Sequence, residues 1–333
     1  MQNKEIILKV ENLTKYFPLK KTIFDVLTKK PTRYVKAVDN VSLEIFKGEN
    51  TGLVGESGCG KSTLAKTIIR LHEPTGGKIY FGEENFTSLD QKNLRKRRSD
   101  IQMIFQDPYS SLNPKMSVKE AIEEAAKYHK VCKKDEIELK VNEMLDMVGI
   151  PRYLSSRFPR EFSGGQRQRI GIARALILNP KFILADEPVA SLDVSVQMQI
   201  INLLDDLKNK LNLTILFISH DLRVVEYITN KVVVMYLGKI VEIGNTKELF
   251  ESPAHPYTNI LLNATPVLDP RKRATNAVIE GETPSPIDIP AECRFNPRCP
   301  FADDFCRKVE PELKLISKER YVACHKPLLK SEI

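Results

Sequence analysis

Residues 51–63 read TGLVGESGCGKST. From Gly55 to Ser62 they match the pattern G-x-x-x-x-G-K-[ST], whose glycines let backbone N–H groups turn toward phosphate oxygens. An apolar strand precedes the pattern and a helix follows it, so the positive end of the helix would also face the phosphates. The stretch therefore predicts a phosphate-binding loop between a strand and a helix.

Each position of this loop has an expected role. Lys61 should contact the β- and γ-phosphates of a nucleotide, and the Ser62 hydroxyl should bind Mg²⁺. Cys59 occupies a free position of the pattern and needs no reactive role. The residues predicted to bind ATP here are Gly55, Ser57, Gly58, Cys59, Gly60, Lys61, Ser62 and Thr63.

A second acidic element follows the apolar segment 182–185. Asp186 and Glu187 stand side by side where that predicted strand ends. We expect Asp186 to reach the metal through water and Glu187 to polarise the attacking water. Together with the phosphate loop, this pair predicts nucleotide hydrolysis.

The composition is that of an ordinary globular protein. The chain has 333 residues, of which 42% are hydrophobic and 28% charged. No run approaches the ~20 apolar residues of a membrane helix, and the N-terminus lacks a signal-peptide pattern, so we expect a cytosolic protein. The formal net charge is +8, and the densest basic run, residues 95–98, is interpreted as a solvated helix face.

Short apolar segments alternate with helical patterns, which predicts an α/β fold with a largely parallel sheet. Strands are predicted at 182–185 and 214–219, with a helix between them that begins near Asp193. A hairpin is predicted over 231–244, turning at Leu237-Gly238. Residues 117–147 have only helical spacing and predict a helical insertion.

Five further segments stand in an order that resembles the ABC transporter ATPase family. Residues 162–166, FSGGQ, resemble its signature, with Phe162 in place of leucine. Gln106 is similar to the glutamine-loop residue, Asp193 to the D-loop aspartate, and His220 to the switch histidine. An aromatic residue near the N-terminus should stack on adenine, and Phe17 matches that position, with Tyr16 beside it as the alternative.

The resemblance implies a P-loop NTPase (RecA-like) core with an inserted α-helical subdomain. The nucleotide-binding domain would span residues 1–250, with the helical subdomain at about 107–162. Gln106 would join Ser62 and Asp186 at Mg²⁺, and Glu187, His220 and Gln106 would be catalytic. The family forms head-to-tail dimers, in which one subunit's ATP is covered by the other's signature residues, Ser163, Gly164, Gly165 and Gln166. Ser163 also suits the N-terminus of a helix whose free N–H groups would face a γ-phosphate.

Three stretches narrow the resemblance to the ATPase subunits of oligopeptide and dipeptide importers: 34–39, the loop 55–62 and 252–258. The chain is similar to the F-type subunit, because of its insertion at 18–33, and the D-type is the alternative. The partners implied are a second ATPase subunit, identical or related, two transmembrane permease subunits, and indirectly an extracytoplasmic peptide-binding protein. The chain would lie peripherally on the cytoplasmic face of the membrane.

From about residue 251 proline becomes frequent, which predicts a linker to a small cysteine-rich module within residues 251–333. Four cysteines there have the spacing C-x₅-C-x₆-C-x₁₇-C: Cys293, Cys299, Cys306 and Cys324. In a cytosolic chain such a cluster points to metal, and spacing alone leaves Zn²⁺ and an iron–sulfur cluster open. The importer resemblance implies a [4Fe–4S] cluster, with Zn²⁺ as the alternative, in a structural or regulatory role.

Three other ABC-type functions fit the sequence less well than peptide import. A soluble ATPase of DNA repair would usually have a large insertion between the two halves of the ATPase, whereas Ser62 and Ser163 are about a hundred residues apart here. A translation-associated ABC protein normally carries two ATPase sets. Glu187 and His220 argue against a non-catalytic regulatory subunit. We therefore expect no nucleic-acid partner.

Overall fold

A computed structural model describes residues 5–21, 28, 31–264, 284–287, 289 and 291–328. The chain divides into two compact units. The first contains Met1–Ile7, Phe46–Asn50 and Ser88–Ser219, and the second contains Leu8–Ile45, Thr51–Thr87 and His220–Ile333. Most of the predicted insertion at 18–33 and residues 265–283 of the predicted linker lie outside the described residues.

The first unit is built on three parallel strands: β6 (Ile101–Ile104), β7 (Phe182–Asp186) and β8 (Thr214–Ile218). β7 lies in the middle, with Ile101 opposite Phe182 on one side and Asp186 opposite Ile218 on the other. Every residue of β7 and β8 is buried, as expected of parallel strands covered on both faces. β7 and β8 confirm the strands predicted at 182–185 and 214–219.

Helices connect these strands. The predicted helical block between β6 and β7 contains four helices: α3 (Pro108–Ser111), α4 (Val118–His129), α5 (Ile137–Met147) and α6 (Gly164–Leu176). Ser117 and Glu120 form a capping box at the start of α4, which fixes where this helix begins. Before β6 lies α2 (Gln91–Arg97), and between β7 and β8 lies α7 (Val194–Leu211).

The second unit contains the phosphate-loop strand, β3 (Asn50–Val54), and a hairpin of β9 (Lys231–Tyr236) and β10 (Lys239–Asn245). β3 pairs with β9 in parallel, and β9 pairs with β10 antiparallel. The turn is Leu237-Gly238, as predicted, and both residues have positive φ. A Cβ at Gly238 would lie 2.7 Å from the carbonyl oxygen of Lys36, so only glycine fits there.

The second unit also has a separate sheet in the order β2-β1-β4-β5. Its strands are β1 (Ile6–Pro18), β2 (Tyr34–Phe46), β4 (Gly76–Phe81) and β5 (Glu84–Asn85). β4 pairs antiparallel with both β1 and β5. The sheets are therefore mixed. The sequence prediction of a largely parallel sheet missed this antiparallel part because β4 pairs with β1, from which residues 19–75 separate it.

The described residues of the second unit form the α-helices α1 (Lys61–Ile68), α8 (Leu222–Ile228), α9 (Thr246–Glu251) and α10 (Pro256–Asn263). The C-terminal segment adds β11 (Lys314–Ser317) and β12 (Arg320–Val322), which the sequence did not predict. β12 pairs antiparallel with β10, so the chain end extends the sheet of the hairpin. The domain boundary predicted at residue 250 stays a prediction.

A buried ion pair fixes this edge of the sheet. Glu242 in β10 is fully buried, and Arg320 in β12 donates to it at 2.8 Å. Its carboxylate also accepts from the backbone N–H groups of Ala254 and His255, each at 2.9 Å. Burial of a charge is costly unless it is paired and hydrogen-bonded, and Glu242 meets both conditions.

Candidate nucleotide site

The predicted phosphate loop lies between β3 and α1, as the sequence indicated. Glycines are needed in this loop because its backbone has positive φ angles and passes close to neighbouring carbonyl groups. Gly55, Gly58 and Gly60 have φ of 152°, 79° and 110°. A Cβ at Gly60 would lie 2.1 Å from the carbonyl oxygen of Ala37, and one at Gly55 would lie 2.2 Å from that of Met235. The loop is thus held against neighbouring backbone at two points.

Lys61 places a positive charge inside this loop. Its side chain is buried, and the ammonium donates to the carbonyl oxygens of Gly55 and Glu56 at 2.8 and 2.9 Å. Ser62 and Thr63 follow in the first turn of α1 and are partly exposed. Cys59 is buried, and this burial raises the pKa of its thiol, which fits the absence of a reactive role.

The carboxylate that the sequence predicts to be catalytic lies at the end of β7. Asp186 is the last residue of the strand and is buried. Glu187 has a φ of 46°, a conformation that costs a non-glycine residue about 1–2 kcal/mol. Its backbone N–H donates to the carbonyl oxygen of Ile218 at 3.0 Å, and its carboxylate accepts from the Gln106 amide at 2.9 Å. The structure therefore brings Gln106 and Glu187 together.

The signature residues form the start of α6. Ser163 is the N-cap residue, and it forms a capping box with Gln166, as its predicted position at a helix start requires. Added Cβ atoms would lie 3.1 Å from Leu192 at Gly164 and 2.5 Å from Val196 at Gly165. The small residues thus allow close packing against the start of α7.

Asp193 and His220 both precede helices. Asp193 is the N-cap residue of α7, although its side chain makes no capping hydrogen bond. His220 is exposed and follows β8 by two residues, and Asp221 after it caps α8 by accepting from Arg223 at 3.0 Å. His220 and the phosphate loop belong to the second unit, whereas Gln106, Asp186, Glu187, Asp193 and the signature belong to the first.

The structure distinguishes the two candidate aromatic residues in β1. The Tyr16 hydroxyl is hydrogen-bonded to Asp39, which also binds Arg294. Burial and this bond raise the pKa of Tyr16 to about 12. Phe17 lies edge-on to His72 with ring centroids 5.4 Å apart, and the Lys15 ammonium lies 4.9 Å from its ring. Tyr16 thus has a polar structural role, which favours Phe17 for the adenine.

The four C-terminal cysteines line one cavity, which is partly open to solvent. Its other lining residues include Phe295 and His325. Burial raises the pKa of Cys293 and Cys299, and it raises that of Cys324 to about 11. Among the residues that the structure describes, no group of three His, Cys, Asp or Glu side chains has the geometry for holding a metal ion. The predicted metal module therefore stays a prediction.

The C-terminal segment makes contacts to the phosphate loop that no sequence pattern predicted. Arg298 binds the carboxylate of Glu56, and the Tyr257 hydroxyl accepts from the Glu56 backbone N–H. Tyr257 lies in residues 252–258, which carry the importer resemblance, and Arg298 lies within the cysteine cluster. Their contacts join positions about 200 residues or more apart, so no local pattern could indicate them.

In the part of the chain that the structure describes, no helix is both long and apolar enough to cross a membrane.

Comparisons with known proteins identify the family. A family model described as "ABC transporter" matches residues 38–190, and one described as "Oligopeptide/dipeptide transporter, C-terminal region" matches residues 241–306. The oligopeptide transport ATP-binding protein AppF of Bacillus subtilis is 48% identical over 97% of this chain and 98% of its own length. This chain belongs to the ATP-binding subunits of the oligopeptide and dipeptide ABC transporters.

Other members and solved structures agree with this assignment. The dipeptide transport ATP-binding protein DppF of Haemophilus influenzae is 45% identical over 96% of each chain. The structure of cbiO1 from Clostridium perfringens, part of an ABC transporter complex, has a TM-score of 0.63 and 31% identity over 74% of this chain and 92% of that one. The ATP-binding cassette MJ0796, a dimer bound to ADP and Pi, has a TM-score of 0.63. It is 29% identical over 72% of this chain and 98% of that one. The resemblance stated from the motifs is confirmed, and these matches give the nucleic-acid alternative no support.

Proposed function

We propose that this ABC ATPase hydrolyses ATP to energise the import of peptides, dipeptides or oligopeptides, through a membrane ABC transporter. The observation that carries the hydrolytic part is the Gln106–Glu187 hydrogen bond at the end of β7. The peptide class is supported by the C-terminal match at residues 241–306 and by relatives named for oligopeptide and dipeptide transport. The names of these two relatives favour the F-type over the D-type subunit.

The roles of the loop residues follow from their geometry. The N–H groups of residues 55–62 bind the phosphates of ATP, and Lys61 exchanges its two carbonyl partners for phosphate oxygens. Ser62, Asp186 and Gln106 are the residues that would hold Mg²⁺, which would supply positive charge to the phosphates. Phe17 stacks on adenine.

Glu187 orients the attacking water and accepts its proton. Its φ of 46° and the hydrogen bond of its N–H to Ile218 fix where the carboxylate points. Gln106 donates a hydrogen bond to that carboxylate. His220 acts on the γ-phosphate as the second catalytic side chain.

The active form is a dimer with an identical or a related second ATPase subunit. In it, Ser163, Gly164, Gly165 and Gln166 of one subunit cover the ATP bound by the other, and Asp193 lies at the interface. Support comes from the capped start of α6, whose free N–H groups suit a phosphate, and from the dimeric form of the related cassette MJ0796.

Two permease subunits complete the transporter, and a peptide-binding protein delivers the solute outside the cell. The chain lies on the cytoplasmic face of the membrane, and the helical subdomain at about 107–162 docks on the permease. The side chains of Tyr153 and Phe158 in that block are exposed, which suits a protein contact. Cysteine cross-links from this block to the permease should form in the assembled transporter. Cross-links confined to the C-terminal segment would refute this docking surface.

The C-terminal segment would hold a [4Fe–4S] cluster in a cysteine-rich module, with Zn²⁺ as the alternative. The donor set fits: four thiols line one cavity, and four cysteine thiolates hold such clusters. Zn²⁺ would use the same four thiols, because four cysteine thiolates also hold a tetrahedral zinc ion. A cluster there would stabilise or regulate the module, because ATP-driven transport needs no electron transfer.

The full assignment can be tested with the assembled transporter. Pull-down of the chain from membranes should recover two permeases, and peptides presented with their binding protein should stimulate ATP hydrolysis by the reconstituted complex. Recovery of nucleic acid without permeases, or ATP hydrolysis that no peptide stimulates, would contradict the proposed function.

A further inference from the structure

The start of the phosphate loop is held from outside by two residues of the C-terminal segment. Glu56 is the second residue of the loop. Its carboxylate accepts two parallel hydrogen bonds from Arg298, at 2.8 Å from Nη1 and 3.0 Å from Nη2. The side chain of Arg298 is 6% exposed and that of Glu56 17%. The backbone N–H of Glu56 donates to the Tyr257 hydroxyl at 2.8 Å.

These two partners are themselves fixed by close packing. The rings of Tyr236, Tyr257 and Phe295 are buried and contact one another, with centroids 4.7 to 5.4 Å apart. The guanidinium of Arg298 also donates to the Tyr236 hydroxyl at 3.4 Å. Because a packed aromatic cluster resists small displacements, Glu56 binds to partners with defined positions.

Arg298 also belongs to the turn that carries two of the cavity cysteines. The 3₁₀ turn Asn296–Arg298 lies between Cys293 and Cys299. The N–H of Asn296 donates to the carbonyl of Cys293 at 3.0 Å, and the N–H of Cys299 donates to that of Asn296 at 3.3 Å. A change in the position of either cysteine therefore moves the guanidinium that binds Glu56.

We propose that Arg298 and Tyr257 are positioning residues for ATP binding, which act on the phosphate loop through Glu56. Arg298 neutralises a carboxylate that would otherwise repel the phosphates, and its bidentate geometry fixes the direction of the Glu56 side chain. Tyr257 fixes the Glu56 backbone. The inference rests on the proposed role of residues 55–62 in binding ATP, and it connects the cysteine-lined turn to that role.

A double-mutant cycle on the full-length chain tests the pair. The dissociation constant for ATP is measured calorimetrically with EDTA present, so that no hydrolysis occurs. Arg298→Gln removes the guanidinium charge that faces the Glu56 carboxylate, and we expect ATP to bind about tenfold more weakly. When Glu56 is already Gln, the same Arg298→Gln change should have less than half of that effect. Tyr257→Phe removes only the hydroxyl and should weaken binding about threefold.

A matched control distinguishes the positioning of Glu56 from a general loss of stability. Lys239 forms an ion pair with Glu310 at 2.5 Å, which also ties β10 to the C-terminal segment but does not involve the loop. Lys239→Gln should leave the ATP dissociation constant within about twofold of the wild-type value, even where the melting temperature falls as it does for Arg298→Gln. Equal weakening by both variants, an unchanged constant in Arg298→Gln, or independent effects of the Arg298 and Glu56 changes would overturn the inference. Failure of the wild-type chain to bind ATP would instead refute the proposed role of the loop.

Discussion

The amide nitrogen of Gln106 donates a 2.9 Å hydrogen bond to the carboxylate of Glu187. The two residues follow neighbouring parallel strands, β6 and β7, so their side chains meet at one edge of the sheet. Gln106 directly precedes the helical block that begins with α3. A movement of that block would therefore reach the Glu187 carboxylate through one hydrogen bond, which is the route that we propose from permease docking to hydrolysis.

The first prediction concerns Glu187. Glu187→Gln keeps the shape of the side chain and one acceptor oxygen for Gln106, but removes the group that accepts the proton from water. We expect ATP to bind with unchanged affinity and turnover to fall at least about 100-fold. ATP should then accumulate in a stable dimer, which size-exclusion chromatography detects.

Glu226→Gln provides the control for Glu187→Gln. Glu226 lies on the exposed side of α8, so the same chemical change there should leave turnover unaltered. Normal turnover in Glu187→Gln would show that the water is activated by another group.

The second prediction concerns the buried ion pair between Arg320 and Glu242. Arg320→Met leaves the fully buried Glu242 carboxylate with its two N–H partners but without a countercharge. The free energy of unfolding should fall by about 3–5 kcal/mol. Adding Glu242→Gln to this variant removes the unpaired charge and should recover part of the loss. Urea unfolding of the wild type, of Arg320→Met and of the double variant measures both effects.

The exposed pair Lys247–Glu251, 3.9 Å apart, is the matched control for the buried pair. Lys247→Met should change the free energy of unfolding by about 0.5 kcal/mol or less, because solvent screens this pair. A similar cost for Lys247→Met and Arg320→Met would mean that burial does not set the strength of the Arg320–Glu242 pair.

Local patterns predicted much of this structure. The buried strands β7 and β8 were recognisable as short apolar runs, and the hairpin turn at Leu237-Gly238 came from the turn chemistry of glycine. The start of α6 was recognisable from Ser163, and the structure adds a capping box with Gln166. Each of these signals depends on residues within a few positions of one another.

The features that the sequence did not reveal depend on contacts between distant residues. β12 has three residues, too few for a periodic pattern, and it exists because β10 offers an edge and Glu242 needs a countercharge. The Arg298–Glu56 pair joins residues 242 positions apart. Neither pairing can be read from composition or spacing, because only the folded chain brings the partners together.

The third prediction concerns pH and His255. This imidazole is fully buried at the start of α10, where its Nδ1 accepts from the Tyr257 N–H at 3.0 Å. Burial lowers the pKa of His255 from 6.5 to about 3. Because the folded-state pKa lies below the unfolded value, stability is fully present above pH 6.5 and is lost as the pH falls toward 3. The melting temperature should therefore drop between about pH 7.5 and about pH 5.

His255→Asn separates this effect from the titration of other groups. Asparagine can still accept the capping hydrogen bond but carries no titratable ring. The variant should have a lower melting temperature than the wild type at about pH 7.5, and a smaller further drop at about pH 5. Equal drops in both proteins would assign the acid sensitivity to other groups.

The fourth prediction concerns the four cysteines around the C-terminal cavity. An iron–sulfur cluster absorbs broadly in the visible range and Zn²⁺ does not, so anaerobically purified protein should be brown and contain iron and acid-labile sulfide. Cys306→Ser removes one of the four thiols and should bleach the colour. The residues after 291 should then become sensitive to proteolysis, because a segment this small has little core of its own.

Cys132→Ser is the control, because Cys132 lies between α4 and α5 and does not line the cavity. It should keep both the colour and the iron content of the wild type. The nucleotide-binding residues precede residue 221, so the Cys306→Ser variant should still bind ATP, although Arg298 lies close enough to the affected turn for the affinity to fall. Colourless wild-type protein with one zinc ion per chain would show that the four thiolates bind zinc and not an iron–sulfur cluster. Wild-type protein purified without oxygen and containing neither metal would remove the metal site altogether, and the cavity would then be a feature of packing around Phe295.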